Sequence, residues 1–148
     1  MRTIGRFRPY AAAYLVLVKD GQILLLRRKN TGYHDGDYGL VSGHFDGRET
    51  ARQCIIREAK EESGVMINPE ELQVVYVMHR LEPIREYFDV YLKVEKWSGE
   101  IKNMEPEKCS ELRWFSFDNL PDNTIPEIRL ALEHIRKGIH YGEFGWPA

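Results

Sequence analysis

The chain has 148 residues, 43% of them hydrophobic and 30% charged, with 21 Lys and Arg against 23 Asp and Glu for a formal charge of -2. One domain spanning residues 1–148 is expected, long enough to bury a core without disulfides or structural metal. The composition excludes a membrane-embedded, collagen-like or wholly disordered protein, and the charge gives no basic field for bulk nucleic acid or an anionic membrane surface.

Arg2, Arg6 and Arg8 precede an apolar run from Tyr10 to Val18. The small residues Ala11, Ala12 and Ala13 open that run instead of closing it, so it reads as a buried strand and not as a secretory leader. Tyr10–Lys19 and Gln22–Arg28 form a predicted hairpin around Asp20-Gly21. A polar loop over 29–37, a short strand over 38–42 and a second loop over 43–48 follow. Thr50 and Gln53 make a capping box, and a helix runs from there to Ser63, with Gly64 placed to end it. Strands are expected over 72–79, 86–96 and 111–117, with a turn at Ser98-Gly99. Thr124 and Glu127 suggest a second capping box around Pro126, for a helix ending near Lys137-Gly138. Hairpin, loop, helix, strands and helix in that order indicate an α/β domain, a mixed sheet covered by helices. Tyr141 to Trp146 is aromatic for a tail and should dock against the core or a second subunit. Cys54 and Cys109 lie far apart with no CxxC, so they form neither a disulfide framework nor a zinc site, and a reducing, cytoplasmic setting fits.

The chemistry concentrates in the first helix. Glu58, Glu61 and Glu62 stand at i, i+3 and i+4, on one helical face. They continue a stripe that begins with Ala51, Cys54 and Ile55, so this face meets protein and is not a purely solvated acidic surface. Three like charges this close repel, and a divalent cation would reverse that cost. His34, His44 and His79 have no ligand spacing for a histidine metal site.

Gly43, five residues, Glu49, seven residues, then Arg57-Glu58-Ala59-Lys60-Glu61-Glu62-Ser63-Gly64-Val65 resembles the nudix box. The chain is thereby identified as a member of the nudix hydrolase superfamily. Arg27-Arg28 and the segment Asn103 to Cys109, with Trp114-Phe115 after it, are similar to the MutT-like branch of (d)NTP pyrophosphohydrolases. The resemblance implies an α/β/α sandwich with a mixed sheet. It implies hydrolysis of a phosphoanhydride in a nucleoside diphosphate linked to another group, most directly a modified or ordinary (d)NTP giving (d)NMP and pyrophosphate. A nucleotide sugar, ADP-ribose, an isoprenoid diphosphate or a non-catalytic nucleotide-binding module stay as alternatives. RNA decapping is less indicated, because basic clusters are absent.

By the same resemblance Mg²⁺, or Mn²⁺ in its place, would be held by Glu58, Glu61, Glu62, Glu105 and the Ser42 carbonyl. Mg²⁺ prefers such hard oxygen donors. Ser42 stands where the family usually has a glycine. Arg57 is implied to orient a glutamate, anchored by Glu49, and Glu61, Glu62 and Glu105 are candidates for the catalytic carboxylate. Arg28 and Lys108 are candidate phosphate contacts, and Asn123 and Thr124 candidate base contacts. Tyr38, Phe45, Trp114 and Phe115 are candidate stacking residues that equally suit a core. The implied partner is a small nucleotide, and the resemblance suggests a homodimer.

Overall fold

The computed structural model describes residues 5–148; Arg2 lies outside them. Its element order is β1 (Tyr10–Lys19), β2 (Gln22–Arg28), β3 (Tyr38–Gly39), β4 (Ser42–His44), α1 (Ala51–Ser63), a 3-10 turn (Pro69–Glu71), β5 (Gln73–Leu81), β6 (Glu86–Val94), β7 (Cys109–Ser116), α2 (Pro126–Arg136) and β8 (Tyr141–Phe144). The eight strands form one mixed sheet with β3-β2-β1-β6-β5-β8 as its main path, β4 on β1 and β7 on β2. A helix covers each face, which makes the α/β/α sandwich.

The two-residue period of β1 and β2 explains the layers. Leu15, Leu17, Leu24 and Leu26 point to one side, where Cys54, Ile55 and Ala59 of α1 meet them. Val16, Val18, Ile23 and Leu25 point to the other, against Ile128, Ala131 and Leu132 of α2. Both faces are covered, so these strands read as continuous apolar runs. The hairpin turn has Asp20 at φ 52° and Gly21 at φ 76°, the left-handed pair that a two-residue turn matched to sheet twist requires.

β1 is shared unequally between its neighbours. Along one edge it pairs with β6 in parallel from Tyr10↔Tyr87 to Leu17↔Val94. On the other it pairs with β2 only at Val18↔Ile23 and Lys19↔Gln22, and further back with β4, from Ala12↔His44 to Tyr14↔Ser42. The sheet therefore splays where β2 leaves β1. The expected strand over 38–42 divides accordingly: β3 stays with β2, whereas β4 crosses to β1. That division turns Gly43 and His44, expected in a loop, into strand.

Helix α1 forms as expected, with both halves of the Thr50–Gln53 capping box and Gly64 in the left-handed conformation at its end. The second capping box does not form. Ile125 is the N-cap of α2, with no side-chain cap, and Thr124 donates to the Pro121 carbonyl at 2.7 Å. Glu127 is drawn away by the Tyr33 hydroxyl, which donates to it at 2.7 Å. The aromatic tail supplies β8, paired in parallel with β5, and Trp146 donates to the His79 carbonyl at 2.9 Å. No helix among the described residues is long and apolar enough to cross a membrane.

Candidate active site

The splay opens a cavity of about 630 Å³ whose wall includes Ser42, Gly43, Glu58, Glu61, Glu62, Glu105, Arg28 and Lys108. Sequence separation between β2, β4, α1 and the 103–108 loop is thus closed in one place. Of the two arginines ending β2, Arg28 lines the cavity. Arg27 donates to the Gly36 carbonyl at 2.8 Å instead. Arg28 Nε bonds the Tyr33 carbonyl at 2.6 Å, which ties the 29–37 loop to the same wall.

Arg57 organises the helix carboxylates. It meets Glu49 at 2.9 Å, Glu58 at 2.6 Å and Asp46 at 3.2 Å, with Glu61 at 3.8 Å. Glu49 also accepts from the Asp46 amide at 2.8 Å. Arg57 holds the Glu49 carboxyl below the ordinary range, with the Asp46 amide adding to that. Gly43 has a steric reason: a Cβ there would overlap the Glu58 carboxyl group. A planar fork is needed to hold two carboxylates at once, so Arg57→Lys is expected to lose roughly 10-fold or more in turnover without restoring either pair. Steady-state kinetics of the lysine variant checks this, and wild-type turnover in it would contradict the orienting role.

The Glu62 carboxyl is pushed far above the ordinary carboxylate range, first by burial and then by Glu58 beside it, with Glu105 adding and a Ser42 backbone hydrogen bond opposing. Glu105 is raised too, by burial first, with Lys108 opposing. The loop places Glu105 there by backbone bonds: the amides of Lys102 and Met104 bond the Ser63 and Glu62 carbonyls at 2.9 and 3.2 Å. These carbonyls end α1 without intrahelical partners. Asn103 then accepts from the Glu105 amide at 3.1 Å and donates to the Cys109 carbonyl at 2.7 Å.

Among the described residues no three His, Cys, Asp or Glu side chains are already drawn into a metal cage. The donor set nonetheless fits a hard divalent cation. Glu58, Glu62 and Glu105 are oxygen donors on one wall, and Ser42 lines it with them. Burial first, and Glu58 and Glu105 after it, disfavour the charged Glu62 carboxylate, and a cation beside it would offset that cost. Glu61 lines the same wall but its side chain is 53% exposed, which puts it at the mouth.

Other expected contacts are not brought in. Asn123 donates to the Gly36 carbonyl at 2.9 Å and Thr124 is buried against Pro121; neither lines the cavity. Phe45 and Trp114 pack into the α1-side core, and Tyr38 meets Phe115 edge-on in the α2-side core. The sequence reading missed Tyr14, Tyr33, Arg80, Glu82, Arg85 and Tyr87, which line the cavity's other end. The Arg and Glu residues at 80, 82 and 85 around the β5–β6 turn are the signal that was available.

The NUDIX domain family model matches residues 6–135. The chain is 35% identical over 107 residues to an NAD-capped RNA hydrolase NudC of Stutzerimonas stutzeri, covering 72% of this chain and 37% of that one. It is 27% identical over 128 residues to an ADP-ribose pyrophosphatase of Methanocaldococcus jannaschii, covering 86% and 74%. The chain spans 37–41% of the length of the NudC relatives from Stutzerimonas stutzeri and Pseudomonas aeruginosa. Among solved structures, a MutT NUDIX hydrolase from Burkholderia pseudomallei superposes with a TM-score of 0.78 at 28% identity, over 86% of this chain and 98% of that one. With the box running from β4 into α1 and the helix carboxylates on one cavity wall, the chain belongs to the nudix hydrolase family and is MutT-like in fold.

Proposed function

We propose that the protein hydrolyses a phosphoanhydride in a nucleoside diphosphate derivative with Mg²⁺ (or Mn²⁺), and that its substrate is an ordinary or modified (d)NTP cleaved to (d)NMP and pyrophosphate. The observation that supports this is the convergence of Glu58, Glu62 and Glu105 with Arg28 and Lys108 on one cavity. Glu58, Glu62, Glu105 and the Ser42 carbonyl would hold Mg²⁺, which would supply charge neutralisation for the diphosphate and a lowered pKa for the attacking water. Arg57 keeps Glu58 in place, Glu49 keeps Arg57, and Arg28 and Lys108 engage phosphate oxygens. Glu62 and Glu105, neither of them bonded to Arg57, are the candidates to take the water proton. ADP-ribose or NAD-capped RNA is a second reading, favoured by what the Methanocaldococcus and Stutzerimonas relatives are named for. A panel of nucleotides, ADP-ribose and NAD with Mg²⁺, with products identified by mass, tests both. A cytoplasmic setting and a homodimer belong to the same proposal, and light scattering tests the dimer.

Metal binding should also be visible in stability. A cation that binds only the folded site at one hundred times its dissociation constant stabilises by about 2.7 kcal/mol, or roughly 5–8 °C in melting temperature. A thermal melt with and without Mg²⁺ measures this. The shift is expected to vanish when Glu58, Glu61 and Glu62 are all glutamine, and an unchanged shift would place the metal elsewhere.

A further inference from the structure

Donor and acceptor accounting decides what the cavity's other end can bind. Arg80 is 4% exposed, and its guanidinium is committed. Nε and Nη2 donate to the two Asp89 oxygens at 2.7 and 3.1 Å, and Nη2 also reaches the Tyr14 hydroxyl at 3.4 Å. Nη1 bonds Glu82 Oε2 and stands 3.7 Å from Glu127. Tyr33 has one phenolic proton, and its hydroxyl oxygen lies 2.7 Å from Glu127 and 3.2 Å from Glu82, so Glu127 takes the proton.

What this wall offers a ligand is therefore specific. Glu82, with a quarter of its side chain exposed, has an Oε1 with no hydrogen-bond partner among the described residues. It presents acceptors, and so does the Tyr33 phenol oxygen. Tyr14 accepts from Arg80 and retains its own proton to donate. Tyr14 and Glu82 sit on the two outer nitrogens of the same guanidinium, so a donor stands beside a carboxylate. Arg85, exposed at this end, is engaged with the Tyr10 ring at 5.0 Å and the Tyr87 hydroxyl at 3.4 Å.

We infer that Tyr14, Tyr33 and Glu82 read the base of the nucleotide, and that they select an edge ordered acceptor, N–H donor, N–H donor. Guanine has that edge. Hypoxanthine lacks its last donor, adenine and cytosine present an acceptor where the carboxylate needs a donor, and uracil flanks a single N–H with two carbonyls. The inference rests on the nucleotide reading above and names its base. It moves base recognition from Asn123 and Thr124 to β1, the β5–β6 hairpin and the 29–37 loop.

Calorimetric titration of the whole chain with GMP, IMP and AMP tests it without turnover. GMP is expected to bind about 10-fold or more tighter than IMP and AMP, since a carboxylate built to take two N–H groups rejects an analogue lacking one. Glu82→Gln should bring GMP to within about threefold of IMP, with the melting temperature confirming that the variant folds. Tyr14→Phe should weaken GMP and IMP alike, because both keep the acceptor. Equal affinities in the wild type, tighter AMP than GMP, or a GMP preference intact in Glu82→Gln would each overturn the assignment. A GMP preference that Glu82→Gln removes, in a protein that cleaves no nucleotide with Mg²⁺, would leave base selection standing and remove the hydrolase reading.

Discussion

Glutamine at position 58 or 62 is expected to lower metal-dependent turnover by about 10²-fold or more while the protein stays folded. Each substitution keeps the side-chain shape and removes a charge from the oxygen set. Single-turnover rates with product identification measure the loss, and full activity in both variants would sink the metal assignment. Glu62→Gln should also change the pH dependence of stability without metal. Burial and Glu58 raise the folded-state pKa of Glu62 above its unfolded value. Above the ordinary carboxylate pKa the folded state therefore binds more protons than the unfolded chain, and stability falls as pH rises toward the folded-state value. Glutamine removes that penalty, so the variant is expected to melt at or above wild type in chelator, with the gap widening from about pH 5 to pH 8. A gap that narrows over this range would contradict the assigned cause.

Arg80→Ala is expected to be the most destabilising single change away from the carboxylates, at about 3–5 kcal/mol or roughly 6–15 °C. Asp89 has no exposed surface. Burial raises its carboxyl while the Arg80 hydrogen bonds pull it down, and Glu82 and Glu127 add repulsion. Removing the guanidinium leaves that carboxylate buried with no counter-charge. It also strips the cation from the Tyr87 ring, 4.0 Å away. The double change Arg80→Met, Asp89→Leu should recover only the part of the loss owed to Asp89, because Glu82 and the buried Glu127 still lose their guanidinium. Urea titration of the three proteins decides the matter. An Arg80→Ala variant within about 1 kcal/mol of wild type would mean that solvent reaches Asp89 freely.

What was readable in the sequence is what local chemistry decides. The Asp20-Gly21 turn, the Thr50–Gln53 capping box and Gly64 are each specified by a few adjacent residues, and each forms. The fixed spacing from Gly43 to Gly64 was legible for the same reason, since one helix and the strand before it carry it. Tertiary partners decided the rest. Thr124 and Glu127 have the spacing of a cap, but Tyr33, ninety-four positions away, claims the glutamate. Arg80 lies just past the strand expected over 72–79 and reads as an ordinary polar position until Asp89 and Tyr87 on the facing strand enclose it. The tail's aromatic character predicted docking, and only the free edge of β5 made it a strand.

The early parting of β2 from β1 has a consequence for descent. It leaves the cavity with walls of separate origin: the box helix and the 103–108 loop on one side, the β5–β6 hairpin on the other, and the 29–37 loop between them, bonded to the first through Lys29 and Lys108 and to the second through Tyr33 and Glu82. The carboxylates are braced by Arg57 and by backbone bonds to the end of α1, none of which passes through the hairpin. Substitutions at 14, 33, 82 or 85 can therefore accumulate without loosening the bracing at 49, 57 and 58. Two lineages of this fold can diverge in what they accept while inheriting the same cutting apparatus unchanged.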